Sequence, residues 1–566
     1  MNGLVLLAIS AVVLALAYLF YGRFLERKWG IDPLRKTPAQ EFEDDQEYVP
    51  TSPAVVFGHE FASIAGAGPI NGPIIAAMFG WLPALLWLLG GSVFFGAVHD
   101  FAALYTSVKN KGKSIGYVIE LYVGKTGKRL FLIFVWLFSI LIAGAFADIV
   151  AGTFTGLSVQ GEKNLINGSV ASTSSFFILA AIGLGFLIRK RKASDLASAV
   201  FAIDLLILCI VLGLFLPICL SHSAWLYLTF AYIFIASVVP VWLLGQPRNY
   251  LNSFLLIAMI AASFIGVALT NPKINIPAFT GFEVSGNFLF PGLFITIACG
   301  AISGFHSLVA TGAASKQISN EKHMRPVSYG AMLVETLVAV LALISVGSLA
   351  FEGNLPKGTP PVIFATAVSG FLHQIGLPSR LSFTIVSLAV SSFVLTTLDT
   401  VARLGRLSFQ ELLMSFESIE AAKKRSIPIR RLSSKAAASL FTLFPAYLLA
   451  ILGYQNIWAL FGAANQLLAA LTLTGCMLFF KNSKRAFFML LIPAVIMFAV
   501  TFTSLFITIQ RKITAFINNS FTISTDGLQL FIAVLLLVLG IMVAVSCAVK
   551  LLERKPSSVQ AEETGR

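Results

Sequence analysis

The chain has 566 residues, 57% of them hydrophobic and only 12% charged, with a mean hydropathy of +0.86. A soluble domain carries roughly a quarter charged residues, so that class is excluded, and 49 Phe exclude disorder. The net charge of +14 does not mark a nucleic-acid binder, because the basic residues lie between long apolar runs and not on one face.

A helix crossing about 30 Å of hydrocarbon needs about 20 apolar residues. By that rule the sequence predicts an all-α polytopic membrane protein of about fifteen crossings. These are 3–21, 54–80, 81–107, 130–156, 172–188, 197–219, 224–244, 253–270, 288–312, 328–350, 381–398, 437–453, 457–480, 486–509 and 529–549. The first lacks a basic leader and a small-residue cleavage site, which predicts an anchor and not a cleaved signal. All five cysteines sit in apolar segments without paired spacing, as packing residues would.

Alternating loops test the orientation. With the N-terminus outside, the inner stretches hold 34 of the 40 Lys and Arg and the outer ones hold 6, leaving none inside a span. Cationic loops are retained inside, so the N-terminus is expected outside and the C-terminus in the cytoplasm. The basic stretch 399–436 is expected to meet anionic lipid head groups.

Ionisable residues in a membrane are functional candidates by default. Within the spans these are His59, Glu60, His99, Asp100, Asp148, Asp204, His306 and Glu335. All are anionic or titratable, a set suited to protons or a metal cation. It offers no fixed cation, so a substrate carboxylate would be met by helix termini, hydroxyls or a protonated histidine. His59, Glu60, Asp100 and Asp148 are the candidate proton-coupling residues.

Two spans carry helix-breaking sequences. Four glycines with Pro69 and Pro73 make a regular helix through 66–72 improbable. Residues 297–307 hold Gly300 and Gly304, with Ser303, His306 and Ser307 on one helical face. Freed backbone groups at membrane depth persist where they line a cavity or bind something. Gly66, Ala67, Gly68, Asn71, Gly300, Ser303 and His306 are therefore the candidate substrate-binding residues. The two segments are seven crossings apart and run in opposite directions, as the broken helices of two inverted halves do. Ser391, Ser392, Thr396 and Thr397 form a hydroxyl set that is a candidate sodium site, beside an expected Asp399–Arg403 pair. No zincin helix, P-loop or dinucleotide fingerprint occurs, so neither an enzyme nor a bound cofactor is expected.

The motifs Gly58-His59-Glu60-Phe61, Ile64-Ala65-Gly66-Ala67-Gly68-Pro69, Gly96-Ala97-Val98-His99-Asp100-Phe101, Gln246-Pro247-Arg248-Asn249-Tyr250-Leu251, Gly300-Ala301-Ile302-Ser303-Gly304-Phe305-His306-Ser307, Leu395-Thr396-Thr397-Leu398-Asp399-Thr400 and Phe461-Gly462-Ala463-Ala464-Asn465-Gln466 occur in this order. In this the sequence resembles the carbon starvation protein A family of bacterial inner-membrane carriers. Glu60 stands where a second histidine is common, His99 where glutamine is common and Asn249 where aspartate is common. The resemblance implies uptake of short peptides or pyruvate under nutrient limitation; the intramembrane acids point to a secondary active importer coupled to protons, with sodium coupling as the alternative. It also implies the five-plus-five inverted repeat of the amino acid–polyamine–organocation superfamily. The expected organisation is an anchor with a charged loop (1–53), a transporter core (54–398), a basic loop (399–436) and C-terminal helices with a tail (437–566). A channel and a non-transporting membrane sensor are the rival classes.

Overall fold

The computed structural model describes residues 1–44, 47–158, 160–190, 195–240, 243–415 and 432–553. The basic run at Lys423-Lys424-Arg425 and Arg430-Arg431 lies outside them, as does the tail beyond residue 553. The described chain is helical apart from loops, four isolated bridges and one hairpin that pairs Glu283–Val284 with Asn287–Phe288. Ser285 and Gly286 both take positive φ in that two-residue turn, as a type I′ hairpin requires.

Each of the fifteen predicted apolar runs contains helix. Among the described residues ten helices are long and apolar enough to cross a membrane, or eleven with the bent pair Pro53–Ile64 and Gly68–Phe79. Val200–Phe215, His222–Val238 and Lys435–Ile451 are apolar but shorter. Helix Pro360–Gln374 was not expected; at 15 residues it is too short for a test based on apolar length.

The helices sort by burial. Tyr454–Asn482 is buried throughout its most apolar stretch, and Ser379–Leu413 nearly so, whereas Gly3–Trp29 and Thr525–Leu552 expose most of theirs. The exposed side chains of these outer helices are large and apolar, such as Phe20, Phe531 and Leu552, as lipid contact demands.

Packing follows a reciprocal pattern. Lys125–Phe154 packs most extensively on Ser379–Ser415, and His222–Val238 packs on Lys435–Ile451. Lys125–Phe154 also meets Lys435–Ile451 and Tyr454–Asn482, while Ser379–Ser415 meets His222–Val238 and Gly245–Thr270. Gly68–Ala76 lies on Ala331–Leu349, and Gly304–Gly312 lies on Ala97–Lys109. Leu165–Lys190 and Asp195–Phe215 pack chiefly on each other.

Candidate functional site

Both predicted interruptions are present, each shifted from its expected place. The first helix ends at Ile64, Ala65 takes a non-helical ψ of 61°, and the chain bends by 47° into Gly68–Ala76. The break is therefore residues 65–67, not 66–72. Pro69 occupies the first turn of the second half-helix, where its missing N–H costs nothing, so Gly68, Asn71 and Gly72 are helical. Pro73 is carried inside that half-helix. The second break runs over 297–303, between Leu289–Thr296 and Gly304–Gly312; Gly304 begins a helix and does not belong to the unwound part.

The half-helix that follows the first break packs against the second broken span. An ideal Cβ at Gly68 would lie 2.3 Å from Cys299 Sγ, and one at Gly72 would lie 2.7 Å from the Thr296 carbonyl oxygen. Only glycine permits this approach. Advancing along one strand of the contact means retreating along the other, so the two segments run antiparallel. The N–H groups of Ala67 and Gly68 donate to no protein acceptor among the described hydrogen bonds, and they point from the start of a nine-residue half-helix. Asn71 is fully buried, and both polar atoms of its side chain lack a partner among the described residues.

Four elements bring the ionisable residues together. Asp100 accepts one hydrogen bond from each of two histidines, His99 Nδ1 at 2.7 Å and His306 Nδ1 at 2.8 Å. The other ring nitrogen of His306 lies 3.2 Å from Glu335 Oε2. Glu60 is within Coulombic range of Asp100 and His306. Glu60, His99, Asp100, His306 and Glu335 are each at most 1% exposed. One Glu60 oxygen, both Glu335 oxygens and His99 Nε2 have no hydrogen-bond partner among the described residues. Three carboxylates and two imidazoles thus share one dry volume, and their joint charge depends on how many protons they hold.

Not all predicted residues join. Asp148 sits elsewhere: its carboxylate takes His222 Nε2 at 2.9 Å and the Tyr454 N–H at 2.7 Å, capping a helix start. It contacts two other helices and lies outside the cluster. His59 is half-buried, makes no described side-chain contact with Asp100, and leaves Nδ1 unpartnered. Gly300 lies in the second break, and Ser303 precedes the half-helix with its hydroxyl 3.2 Å from Asn465 Oδ1.

The hydroxyl set lines Ser379–Ser415 beside the first break, where a Cβ at Gly66 would come 2.6 Å from Thr397 Oγ1. Three of its four hydroxyls are hydrogen-bonded, and that of Ser392 has no partner among the described residues. Asn252 Nδ2 donates to Thr396 Oγ1, and Arg248 Nη2 donates to the Ser392 carbonyl at 3.2 Å. Thr397 donates to the Phe393 carbonyl at 3.1 Å, and Ser391 to that of Leu388 at 3.1 Å. The expectation that no basic residue lies in a span is corrected here. Arg248 is fully buried in Gly245–Thr270 and pairs with Asp399 at 2.6 Å; Tyr232 donates to the same carboxylate oxygen at 2.8 Å. Asp399 therefore spends its charge on a neighbouring helix, not on Arg403 one turn along.

Three contributors were missed as site residues. His99 and Glu335 were legible as intramembrane ionisables, but nothing local shows that they converge. Asn465 caps the second half-helix from outside, its Oδ1 accepting from the Phe305 N–H at 3.1 Å. Its signal was an amide pair, Asn465-Gln466, in an apolar run; Gln466 also reaches the broken span through the Phe294 carbonyl.

A family model described as carbon starvation protein CstA matches residues 2–357 and 350–504. A peptide transporter CstA of Bacillus subtilis is 34% identical over 532 residues, covering 84% of each chain. The pyruvate/proton symporter BtsT of Escherichia coli is 31% identical over 585 residues, covering 87% of this chain and 80% of that one. Among solved structures, a manganese transporter of Eremococcus coleocola aligns over 88% of this chain and 95% of its own, with a TM-score of 0.46 and 12% identity. The chain is a multi-pass membrane protein and belongs to the carbon starvation protein CstA family.

Proposed function

We propose that this protein is a secondary active importer of short peptides or pyruvate across the bacterial inner membrane, driven by protons. The observation that carries the reading is the contact of two antiparallel broken spans beside the buried Glu60–His99–Asp100–His306–Glu335 cluster. The free N–H groups of Ala67 and Gly68 suit a substrate carboxylate, as helix N-termini suit anions. Gly66, Asn71, Gly300 and Ser303 complete that pocket. Asp100, between two histidines that belong to different helices, relays protons as the breaks rearrange. Relatives named as a peptide transporter and a pyruvate/proton symporter support the substrates and the ion.

The reciprocal packing supports a five-plus-five inverted repeat. In it, the helices spanning 53–79, 81–109, 125–154, 222–238 and 245–270 correspond to 289–312, 331–349, 379–415, 435–451 and 454–482. The inserted pair is then 165–190 and 195–215. Taking Pro360–Gln374 as an outer-face arm that does not cross keeps fifteen crossings, the N-terminus outside and the basic loops inside.

Sodium coupling is the second reading, favoured by Thr397 against Gly66. The amide and guanidinium donors on Thr396 and the Ser392 carbonyl already occupy two of the oxygens it needs. The test is proteoliposome uptake of labelled pyruvate and of a dipeptide under separately imposed proton and sodium gradients. Saturable accumulation driven by protons alone is expected. Accumulation driven by sodium alone replaces the coupling ion, and gradient-independent flux indicates a channel.

A further inference from the structure

Away from the paired breaks, a cavity of about 330 Å³ opens on the face that carries the Glu283–Phe288 hairpin. That volume falls within the range of small-molecule sites and is far larger than a three-carbon acid needs. Its walls come from the end of the first broken span, the half-helix Leu289–Thr296, the start of Tyr454–Asn482 and the last turns of Phe488–Ile517. Phe79, Phe288, Tyr454 and Trp458 supply an aromatic lining, and Arg511 is the single charged side chain in it. Thr296, whose carbonyl oxygen is the one that Gly72 approaches, is part of the lining, so the cavity reaches the contact between the two broken spans.

Arg511 is held in place but not neutralised. Nη2 donates to the Gly286 carbonyl at the hairpin turn, and the guanidinium carbon lies 6.0 Å from the Phe288 ring centre. No carboxylate pairs with it among the described residues, whereas its neighbour Lys512 is paired with Asp526 at 2.6 Å. A guanidinium has five N–H donors in a planar fork that matches a carboxylate, and one of them is used here. Among the described residues the Glu60–His99–Asp100–His306–Glu335 cluster includes no fixed cation, and the buried Arg248 is committed to Asp399.

We propose that this cavity is an outer loading site that takes a carboxylate-bearing solute of dipeptide size, its carboxylate on Arg511 and its apolar body against Trp458 and Phe79. The site holds the solute one step above the breaks before it descends. This rests on the importer reading, since a loading site has meaning only on a path inward, but its binding is measurable without transport.

The experiment uses the full chain in phosphatidylcholine nanodiscs with Thr508→Cys placed on the cavity wall. The rate at which that cysteine reacts with a membrane-impermeant maleimide is followed against the concentration of the dipeptide Ala-Phe, its C-terminal amide, and pyruvate. Ala-Phe is expected to protect, and pyruvate and the amide to protect at least roughly tenfold less well. Arg511→Gln should raise the half-protecting concentration of Ala-Phe by roughly tenfold or more and leave that of the amide unchanged. Lys512→Gln, which removes the same charge outside the cavity, should behave as the parent. Equal protection in Arg511→Gln, an equal loss in Lys512→Gln, or tighter protection by pyruvate overturns the proposal. So does loss of protection when phosphatidylglycerol is added, which would give the guanidinium to lipid phosphate. Protection without uptake in proteoliposomes leaves the site standing and removes the importer; uptake without protection does the reverse.

Discussion

Two buried polar clusters sit in this fold, and they are built on opposite principles. The first joins Glu60, His99, Asp100, His306 and Glu335 at the breaks, contains no Arg or Lys, and leaves several oxygens and two ring nitrogens without hydrogen-bond partners among the described residues. The second joins Arg248, Asp399, Tyr232, Asn252 and Thr396 across three helices and pairs a fixed cation with a carboxylate. A cluster without a fixed cation changes charge by exchanging protons. A cluster with one pairs its carboxylate with a charge that is always present and ties neighbouring helices together. Buried acids in the same membrane protein thus do different work according to what faces them.

The sharpest way to break this comparison is Asp100→Asn, which keeps the shape and the hydrogen-bonding reach but removes the titrating group. Proton-driven accumulation in proteoliposomes is expected to disappear while the protein stays folded by thermal unfolding in detergent. Retained accumulation would remove Asp100 from the coupling. Next in size is Arg248→Ala, which strands Asp399 as an uncompensated buried charge at about 3–5 kcal/mol. Thermal unfolding should show that loss, and the double variant Arg248→Ala, Asp399→Ala should recover most of it. An equal loss in the double variant would mean that the pair does not act as a pair. The smallest effect is expected for Gly68→Ala, whose new methyl meets Cys299 at 2.3 Å. Overpacking of this kind costs about 1–3 kcal/mol. Uptake should fall, and Cys299→Gly should restore part of it. Uptake unchanged in Gly68→Ala would separate the two breaks.

Legibility along the chain followed how local each cause is. The breaks were readable because Gly and Pro act on their own backbone, although Pro69 terminated the disorder it was expected to extend. A proline in a first turn starts a helix as readily as one in the middle interrupts it. Asp148 looked like Asp100 in the sequence, an acid in an apolar run. Only the tertiary structure brings His222 and the Tyr454 N–H to one, and His306 to the other. Arg248 read as a loop cation because it follows a Gln-Pro pair near the end of an apolar run; its carboxylate partner lies 151 residues away. Pro360–Gln374 was missed because short helices sheltered by neighbours need no long apolar stretch.

The sequence by itself determined that the chain spans a membrane, where its apolar helices lie and which two of them break. Those properties follow from hydrocarbon thickness, the cost of burying charge, and the backbone limits of Gly and Pro, all of which act within a short window. Only the tertiary structure decided which titratable groups share a volume, which buried acid meets a fixed cation, and where a cavity opens beside the breaks. Each of these depends on side chains from distant helices meeting in one place, and no window of sequence contains both partners.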